Sequence, residues 1–459
     1  MTSRLMPLTL VLVLVVGCAG REPARPGAAV QSPLERAFAE IDRAYVEPPD
    51  FAVLAAGAVQ AVADAVPALA LRVTESAEQT EVSYAAGAER RTRVVPRRAT
   101  RDQAFKEISA LLQAAREASP GGLDLEGAMI VQALRRLDPD SSYLDREVYR
   151  ELLGVSTAGV AGVGLELTMR GGALTIVAPL EGSPAQSAGL QTGDRLEKID
   201  GASTKSMSLA QAVRRLRGAA GTKIVLTIAR DGWTEPRDID VMRARLARVG
   251  VQRRELGAGV AYVKLSPFDE QTAPDLAAAL AGFETTGVKA LVLDLRNNPG
   301  GLVTAAVEVA EQFLDNGRLI VYTEGRLRTQ NLRFSAHATK VFRGVPLAVL
   351  VNGGSAGSSE IVAQALKEWG RASIVGTTTI GRGLVQTIIP LPGDTALKLT
   401  TARFFSPKGR SIHGTGVTPD VRVEPGELSG GPLRMPAEEL IARDAQLRAA
   451  VEHLASQRR

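Results

Sequence analysis

The residues best suited to chemistry lie in a predicted strand, turn and helix at 347–369. Five consecutive apolar residues, 347–351, indicate a buried strand, and the apolar spacing after Gly357 indicates a helix. The turn between them brings Ser358 and Ser359 to the start of that helix. A hydroxyl at a helix start can cap free backbone N–H groups, and it acts as a nucleophile only where a base takes its proton. The chemistry of this turn therefore depends on which base, if any, lies beside it.

The surrounding pattern predicts the fold that positions the turn. From about 245 to 425, apolar runs typical of buried strands alternate with helical patterns, which indicates a layered α/β core. Residues 290–295 are one such run, and the turn Asn-Pro-Gly-Gly at 298–301 follows it. In such cores the loops at the carboxyl ends of the strands form the binding edge. The turns at 298–301 and 353–357 are two of these loops.

Residues 350–420 resemble the core of the carboxyl-terminal processing peptidases, a family of serine peptidases with a serine/lysine dyad. The family's nucleophile motif is N-x-G-[ST]-A-S-A-S-E, and residues 352–360 read N-G-G-S-A-G-S-S-E. Gly357 therefore occupies the position of the nucleophilic serine. The family's base motif is G-K-G-x-x-Q, and residues 381–386 read G-R-G-L-V-Q. Arg382 occupies the position of the lysine, and Gln386 matches the glutamine that helps to position it.

The two substitutions remove both halves of the dyad. Glycine has no side chain and cannot form an acyl-enzyme. A dyad lysine must be neutral to accept the serine proton, and burial can lower a lysine pKa far enough for that. Arginine stays protonated in proteins and has no lone pair to offer. The resemblance therefore implies a peptidase fold without the usual mechanism.

By motif match, the resemblance also implies an oxyanion-type notch made by backbone N–H groups around Gly300, Gly301 and Ser358. Glycines let the backbone approach closely, and a helix start adds its positive dipole end. Such a notch is expected to bind an anion or a carbonyl even without a nucleophile. Ser358 and Ser359 are possible substitute nucleophiles, but a shift of one residue turns a side chain by about 100° around a helix. We expect them to have a capping or first-turn role.

Residues 155–242 resemble a PDZ domain. The loop that binds a peptide carboxylate is matched by Gly162, Val163, Gly164 and Leu165. Predicted strands at 174–177 and 223–229 and a helix at 209–216 follow in the order of that family. Loop N–H groups would bind the terminal carboxylate while the peptide adds a strand to the sheet edge. The expected partners are polypeptide C-termini.

Two regions flank these domains. Residues 34–152 are predicted to be mainly helical, with helices at 34–46, 51–66 and 123–137, and with an inserted loop or weak hairpin in the polar stretch 71–102. The octapeptide L-D-P-D-S-S-Y-L at 137–144 closely matches the family's L-D-P-H-S-S-Y-L. Residues 426–459 are predicted to form a tail with one amphipathic helix at 436–453. The predicted fold class is a multidomain α+β and α/β protein in which a helical region and a PDZ domain precede a crotonase-like core.

The amino terminus resembles a bacterial lipoprotein signal. Arg4 precedes a mostly apolar run at 8–16 that is too short to span a bilayer. The run ends in Val-Val-Gly-Cys, so residues 1–18 read as a signal peptide, with Cys18 as the acylated residue. The following segment, 19–33, is rich in Pro, Ala and Gly and reads as a tether. We expect a lipid-anchored protein of the bacterial cell envelope, on the periplasmic face of the outer membrane in a Gram-negative cell.

Composition excludes several other classes of function. The net charge of +5 is mild for 459 residues, and the Lys and Arg residues do not alternate with aromatic ones, which argues against nucleic-acid binding. Cys18 is the single cysteine, so no disulfide can form within the chain. Neither a metal-ligand cluster nor a phosphate-binding loop is present, and we expect no cofactor. Of three histidines, His413 alone lies near the matched motifs, whereas His337 and His453 lie in polar contexts; we expect a structural role for His413.

Three functions remain open from the sequence. The first is a membrane-tethered, inactive peptidase that binds polypeptide C-termini through its PDZ domain and delivers, protects or sequesters proteins or regulates an active relative. The second is an active endopeptidase that uses Ser358 and an unidentified base. The third is an envelope scaffold whose PDZ groove is closed.

Overall fold

The computed structural model describes most of the chain, and the statements below concern the described residues. The described ranges are 31–86, 89–120, 124–152, 161–170, 173–180, 182–205, 207, 209–246, 250–265, 267–337, 342, 344–426 and 435–457. The predicted signal peptide, with Cys18, and most of the predicted tether lie outside them.

Four helices form the N-terminal region: three at the predicted places and a fourth, at 101–118, that was not predicted. They are α1 (Pro33–Ala44), α2 (Phe51–Ala65), α3 (Arg101–Ala118) and α4 (Leu125–Arg135). Side chains cap all four helices: Ser32, Asp50, Thr100 and Asp124 each accept a backbone N–H of the first turn. The apolar faces pack together around residues such as Phe38, Leu54 and Met129, each at most 1% exposed.

The polar stretch 71–102 is more ordered than a loop or a weak hairpin. It forms an antiparallel sheet of three strands, β1 (Arg72–Glu75), β2 (Gln79–Ala86) and β3 (Glu89–Pro96). Val82, Tyr84 and Val95 are buried against the helices. Only one face of this sheet is buried, so its strands contain few apolar residues. The strands were therefore not predicted from the apolar spacing.

Residues 137–152 connect the helical region to the other domains. They contain β4 (Ser142–Leu144) and α5 (Arg146–Leu152). The octapeptide predicted at 137–144 thus ends in a strand.

The PDZ region is a small sheet with two helices, in the predicted order. Its main strands are β6 (Leu165–Arg170), β7 (Ala173–Pro179), β8 (Arg195–Ile199), β10 (Lys223–Ala229) and β11 (Arg237–Met242), and its short ones are β5 (Ala161–Gly162), β9 (Ala202–Ser203) and β12 (Ala244–Arg245). Its helices are α6 (Pro184–Ser187) and α7 (Leu209–Leu216). The sheet order is β11-β10-β8-β7-β6, so among the described strands β6 is an edge strand. This is the strand that the sequence assigns to peptide pairing.

The core has a mostly parallel sheet covered on both faces. Its strands are β13 (Gln252–Glu255), β14 (Val260–Lys264), β15 (Ala290–Asp294), β18 (Leu347–Val351), β19 (Ser373–Gly376) and β22 (Val421–Arg422), paired in that order. Its larger apolar layer includes helices α8 (Thr272–Thr286), α9 (Val303–Glu311) and α10 (Ser358–Glu368). Strands β14, β15 and β18 are fully buried, which explains their continuous apolar runs.

A second sheet joins the core to the N-terminal region. It contains β16 (Leu319–Gly325), β17 (Arg333–Ser335), β20 (Leu384–Leu391) and β21 (Thr395–Phe405), in the order β17-β16-β21-β20. Strand β4 pairs with β21, with Ser142 opposite Lys398. The octapeptide that includes β4 is therefore joined to this second sheet by strand pairing.

The C-terminal tail forms two helices where one was predicted. They are α11 (Ala437–Arg443) and α12 (Ala445–Ser456), separated at Asp444, whose side chain caps α12 through the Leu447 N–H. Leu440, Leu447 and Leu454 cover the second face of the parallel sheet. Asp is a preferred N-cap residue, so Asp444 begins a new helix at a point where the apolar spacing alone predicts that one helix continues.

Within the described residues, we find no helix that combines the length and apolar character needed to cross a bilayer.

Candidate active site

The two positions of the family dyad lie next to each other. Backbone N–H groups of Gly357 and Arg382 donate to the same oxygen of Glu360, Oε2, at 2.9 and 2.8 Å. The other oxygen, Oε1, accepts from the Gly381 N–H at 2.8 Å and from the Thr379 hydroxyl. Burial raises the pKa of Glu360, and these hydrogen bonds partly offset that effect. One buried carboxylate therefore holds the turn at 357 against the loop at 381–383.

Gly357 has the backbone of a sharp strand-to-helix turn. Its φ of 52° and ψ of −110° lie in a region that side-chain-bearing residues rarely adopt. A Cβ added there would have only the Pro299 carbonyl oxygen within 4 Å, at 3.9 Å. A serine in the same turn would be strained yet would point into open space, as expected of a nucleophile elbow. The turn keeps the conformation without the side chain.

The neighbouring serines are held by structural hydrogen bonds. The Ser358 hydroxyl donates to the Gly301 carbonyl at 2.9 Å, and the Ser359 hydroxyl donates to the Asn298 carbonyl at 2.9 Å. Both side chains are buried, at 2% and 0% exposure. Their hydroxyl protons are directed at carbonyl oxygens rather than at a base. Both serines join helix α10 to the turn that follows β15.

Two backbone donors remain for a notch. Among the described residues, the N–H groups of Gly301 and Ser358 have no hydrogen-bond acceptor, whereas the Gly300 N–H donates to Asn298 Oδ1 at 3.0 Å. Gly300 instead provides close packing, because a Cβ there would lie 2.9 Å from the Ser358 nitrogen. Of the three predicted notch residues, Gly301 and Ser358 are thus the available donors.

The Arg382 side chain points to the PDZ domain. Its Nη1 is 2.9 Å from Glu166 Oε1, and its Nη2 is 3.5 Å from the Leu167 carbonyl oxygen. Burial opposes the charge, but the Glu166 carboxylate outweighs it, so the pKa of Arg382 is raised. A permanently protonated guanidinium paired with a carboxylate cannot act as a base.

A lysine that sequence reasoning missed lies beside Arg382. Lys398, on β21, has no hydrogen bond or ion pair to a described residue. Burial and then the Arg382 charge lower its pKa, while Glu166, Asp140 and Asp138 act in the opposite direction. The sequence gives no signal for Lys398, because a single lysine in a strand of alternating residues is normally predicted to face solvent.

Gln386 belongs to a network that includes the octapeptide. Its Nε2 donates to Thr400 Oγ1 at 2.9 Å, and Ser141 Oγ lies 3.3 Å from that oxygen. Ser141 Oγ in turn donates to Asp138 Oδ2 at 2.6 Å. Gln386 Oε1 is buried without a partner among the described residues. The family lysine is absent here, and this acceptor is left unsatisfied.

An apolar cavity of about 40 Å³ lies near the site. Its lining includes Val303, Leu332, Phe334, Val385, Ala402 and Phe404. Val303 follows the notch residue Gly301 by two positions, and Val385 follows Arg382 by three. The cavity offers space for a small apolar side chain.

The histidines take no part in this arrangement. The His413 side chain is exposed, and its backbone packs against Gly383. His453 Nε2 lies 2.8 Å from Ser373 Oγ, and the His337 N–H donates to Glu311. The described part of the chain contains no group of His, Cys, Asp and Glu residues that could hold a metal ion.

Comparisons with known proteins identify the family of this chain. The sequence model of peptidase family S41 matches residues 259–423, and that of a PDZ domain matches residues 175–230. A carboxy-terminal-processing protease of Bartonella bacilliformis is 43% identical over 295 residues, which cover 63% of this chain and 68% of that protein. A probable CtpA-like serine protease of Staphylococcus saprophyticus is 33% identical over 66% of this chain and 61% of its own length.

A solved structure aligns with most of the chain. The photosystem II D1 C-terminal processing protease aligns with a TM-score of 0.65 and 26% identity, over 85% of this chain and 92% of that one. The PDZ domain followed by a peptidase core confirms the predicted fold class. The chain belongs to the carboxyl-terminal processing peptidases of family S41, although glycine and arginine stand at its two dyad positions.

Proposed function

We propose that this protein is a catalytically inactive member of its family that binds polypeptide C-termini through its PDZ domain. The observation that carries the proposal is the pair of residues on either side of Glu360 Oε2. Gly357 offers no nucleophile, and Arg382 offers no base and is paired with Glu166.

The buried serines support the proposal. A displaced nucleophile at Ser358 would have to break its hydrogen bond to Gly301, and the residue at the family's base position is Arg382, which is not a neutral base. A serine hydroxyl without an adjacent base is a weak nucleophile. The endopeptidase alternative therefore lacks both an available hydroxyl and an assigned base.

The PDZ domain provides the binding role. PDZ domains bind peptides in general, and here the predicted carboxylate loop leads into the edge strand β6. The proposal is that the loop binds a free, apolar C-terminus. The same proposal places the protein on the envelope membrane through acylated Cys18, where it would deliver, protect or sequester proteins or regulate an active relative.

Titration calorimetry with matched peptides tests this function. The full chain in detergent solution is titrated with peptides that end in a free apolar residue and with the same peptides carrying a C-terminal amide. A charged acceptor makes the stronger hydrogen bond with loop N–H groups, so we expect amidation to weaken binding about tenfold or more. Equal affinity for the acid and the amide would remove C-terminal recognition from the account.

A further inference from the structure

Arg382 occupies a place on the PDZ domain that a bound peptide would need. Strand β6 is an edge strand among the described residues, so a peptide can pair with its outer backbone groups. Arg382 belongs to the core, outside the PDZ sheet, yet its Nη2 approaches the Leu167 carbonyl of β6 at 3.5 Å. The guanidinium therefore lies against the free edge of the peptide-pairing strand.

The contact is part of a wider junction between the two domains. Glu166 and Arg382 form an ion pair at 2.9 Å, and their side chains are 39% and 26% exposed. Thr192 of the PDZ domain lies against Gly354, where an added Cβ would come within 3.0 Å of the Thr192 hydroxyl. Arg214, on α7, pairs with Asp145 next to β4 at 2.6 Å. The Arg382 contact is the part of this junction that involves β6.

The pairing geometry indicates which ligand residue would replace Arg382. A peptide whose carboxylate is held by the loop before β6 must run antiparallel to that strand. Leu167 points into the PDZ core at 4% exposure, so Glu166 lies on the opposite face of β6. Side chains of facing strands that share a face are neighbours. Glu166 would thus lie beside the penultimate residue of the peptide or the fourth residue from its end.

We propose that Arg382 is an internal substitute for the ligand, and that the PDZ domain selects C-termini with a basic side chain at the penultimate or fourth-from-last position. This inference rests on the proposed binding of C-termini. Arg382 supplies a cation for Glu166 and a donor for the Leu167 carbonyl. A peptide supplies the same two groups through a Lys or Arg side chain and a backbone N–H, and it binds in exchange for Arg382.

Two consequences separate this inference from ordinary PDZ binding. Removing Arg382 removes the competitor, so every peptide should bind more tightly. Removing the charge of Glu166 should abolish the preference for basic peptides, because that carboxylate is the group which reads the charge. An acidic side chain in the same place would face Glu166 and be repelled.

Fluorescence anisotropy with labelled decapeptides tests the proposal on the full chain in detergent solution. The peptides end in a free valine and carry Lys, Gln or Glu at the penultimate or the fourth-from-last position. At one of the two positions we expect the Lys peptide to bind the unmodified protein about tenfold more tightly than the Glu peptide. We expect Arg382→Gln to tighten binding of all peptides about fivefold and to keep the order Lys, Gln, Glu.

Three variants complete the design. Glu166→Gln should reduce the Lys-to-Glu difference to less than twofold, and Glu166→Arg combined with Arg382→Glu should reverse it. Arg422→Gln is the control, because Arg422 pairs with Glu424 at an exposed position and its loss changes the net charge equally. It should leave all affinities unchanged.

The outcomes distinguish the inference from the function on which it rests. Binding of all peptides with equal affinity in the unmodified, Arg382→Gln and Glu166→Gln proteins would overturn the inference and leave C-terminal recognition intact. If no peptide binds to the unmodified protein or to any variant, both are overturned. Binding that appears only after Arg382→Gln supports the inference, since Arg382 then blocks the strand.

Discussion

Gly357 and Arg382 decide the chemistry of this site, and the Glu360 carboxylate holds the backbone of both residues in place. Glu360 binds the backbone N–H groups of Gly357 and Arg382, so the turn and the loop keep their positions whatever side chains they carry. The backbone hydrogen bonds that hold the two dyad positions together therefore do not require the side chains of the dyad. The backbone geometry that brings positions 357 and 382 together is present here without a serine or a lysine side chain.

Restoring both side chains tests this independence. Neither Gly357→Ser nor Arg382→Lys alone should yield peptidase activity, because each supplies a group without its partner. We expect turnover of an unfolded protein substrate only in the double variant, since the two groups act as a unit. The serine has open space, and Gln386 Oε1 is free to accept from a lysine.

The same substitution should have a measurable cost in stability. Gly357→Ser places a side chain at φ 52°, which we expect to lower the free energy of unfolding by about 1–3 kcal/mol. Urea unfolding measures this loss, and Gly353→Ser is the control because Gly353 has no positive φ and no atom near its added Cβ.

For the activity of these variants, turnover by either Gly357→Ser or Arg382→Lys alone would contradict the prediction that the two groups act as a unit.

Lys398 gives a prediction for the dependence of stability on pH. Its pKa is lowered in the folded protein, so as the pH falls below 10.5 the unfolded chain takes up the proton first and the folded state loses relative stability. Lys398→Met removes this penalty. We expect the variant to have a higher melting temperature than the unmodified protein at pH 7, and the difference to disappear above pH 10.5.

Thermal unfolding at a series of pH values measures this difference. Lys205→Met, at an exposed lysine of the PDZ domain, is the control and should show no such trend. A Lys398→Met variant that is less stable at pH 7 would show that the amine has a favourable partner.

At the scale of elements, the core depends on a buried charge cluster between β15 and α12. Arg296, 1% exposed, bonds to Asp294 and Asp444, and the Tyr262 hydroxyl donates to Asp294 at 2.6 Å. Burial opposes ionisation of Asp294, but Arg296 prevails and lowers its pKa. The cluster joins the C-terminal helices to the strand that leads into the notch.

Removing the cation should therefore destabilise the whole core. Arg296→Met removes the guanidinium that bonds to both buried carboxylates, and we expect a loss of about 3–5 kcal/mol in urea unfolding. Arg422→Met, which removes an arginine from an exposed pair with Glu424, is the matched control and should change stability by less than about 0.5 kcal/mol. Equal effects of the two variants would show that the cluster adds no stability.

Elements with strong apolar periodicity could be predicted from the sequence, and contacts between distant elements could not. Strand β18 and the start of helix α10 follow directly from apolar spacing after a glycine-rich turn. The pair Arg382–Glu166 joins positions 216 residues apart. Polar side chains that meet across domains carry no periodic signal, so neither this pair nor Lys398 could be inferred from residue patterns alone.

At the scale of the whole molecule, the domains meet around the two dyad positions of the family, Gly357 and Arg382. The octapeptide strand β4, the PDZ strand β6 and the core loop at 381–383 all contribute to this region. We expect this protein to bind peptides at the envelope membrane, to which acyl chains on Cys18 would attach it.

Cys18→Ser tests the attachment. The apolar run at 8–16 is too short to span a bilayer, so attachment would rest on the acyl chains. We expect the variant to be soluble or to keep its signal peptide, as seen by cell fractionation and by the mass of the chain. A variant of mature length that still fractionates with membranes would rule out the lipid anchor.

The most direct test of the central claim is the activity of the unmodified protein. The full chain in detergent solution is incubated with an unfolded protein substrate and, separately, with a fluorophosphonate probe that labels reactive serines; the Gly357→Ser and Arg382→Lys double variant and a Ser358→Ala variant are treated in parallel. We predict no cleavage and no labelled residue in the unmodified protein. Robust cleavage that Ser358→Ala abolishes, with the probe attached at Ser358, would contradict the account and show that the nucleophile lies one position further along the chain.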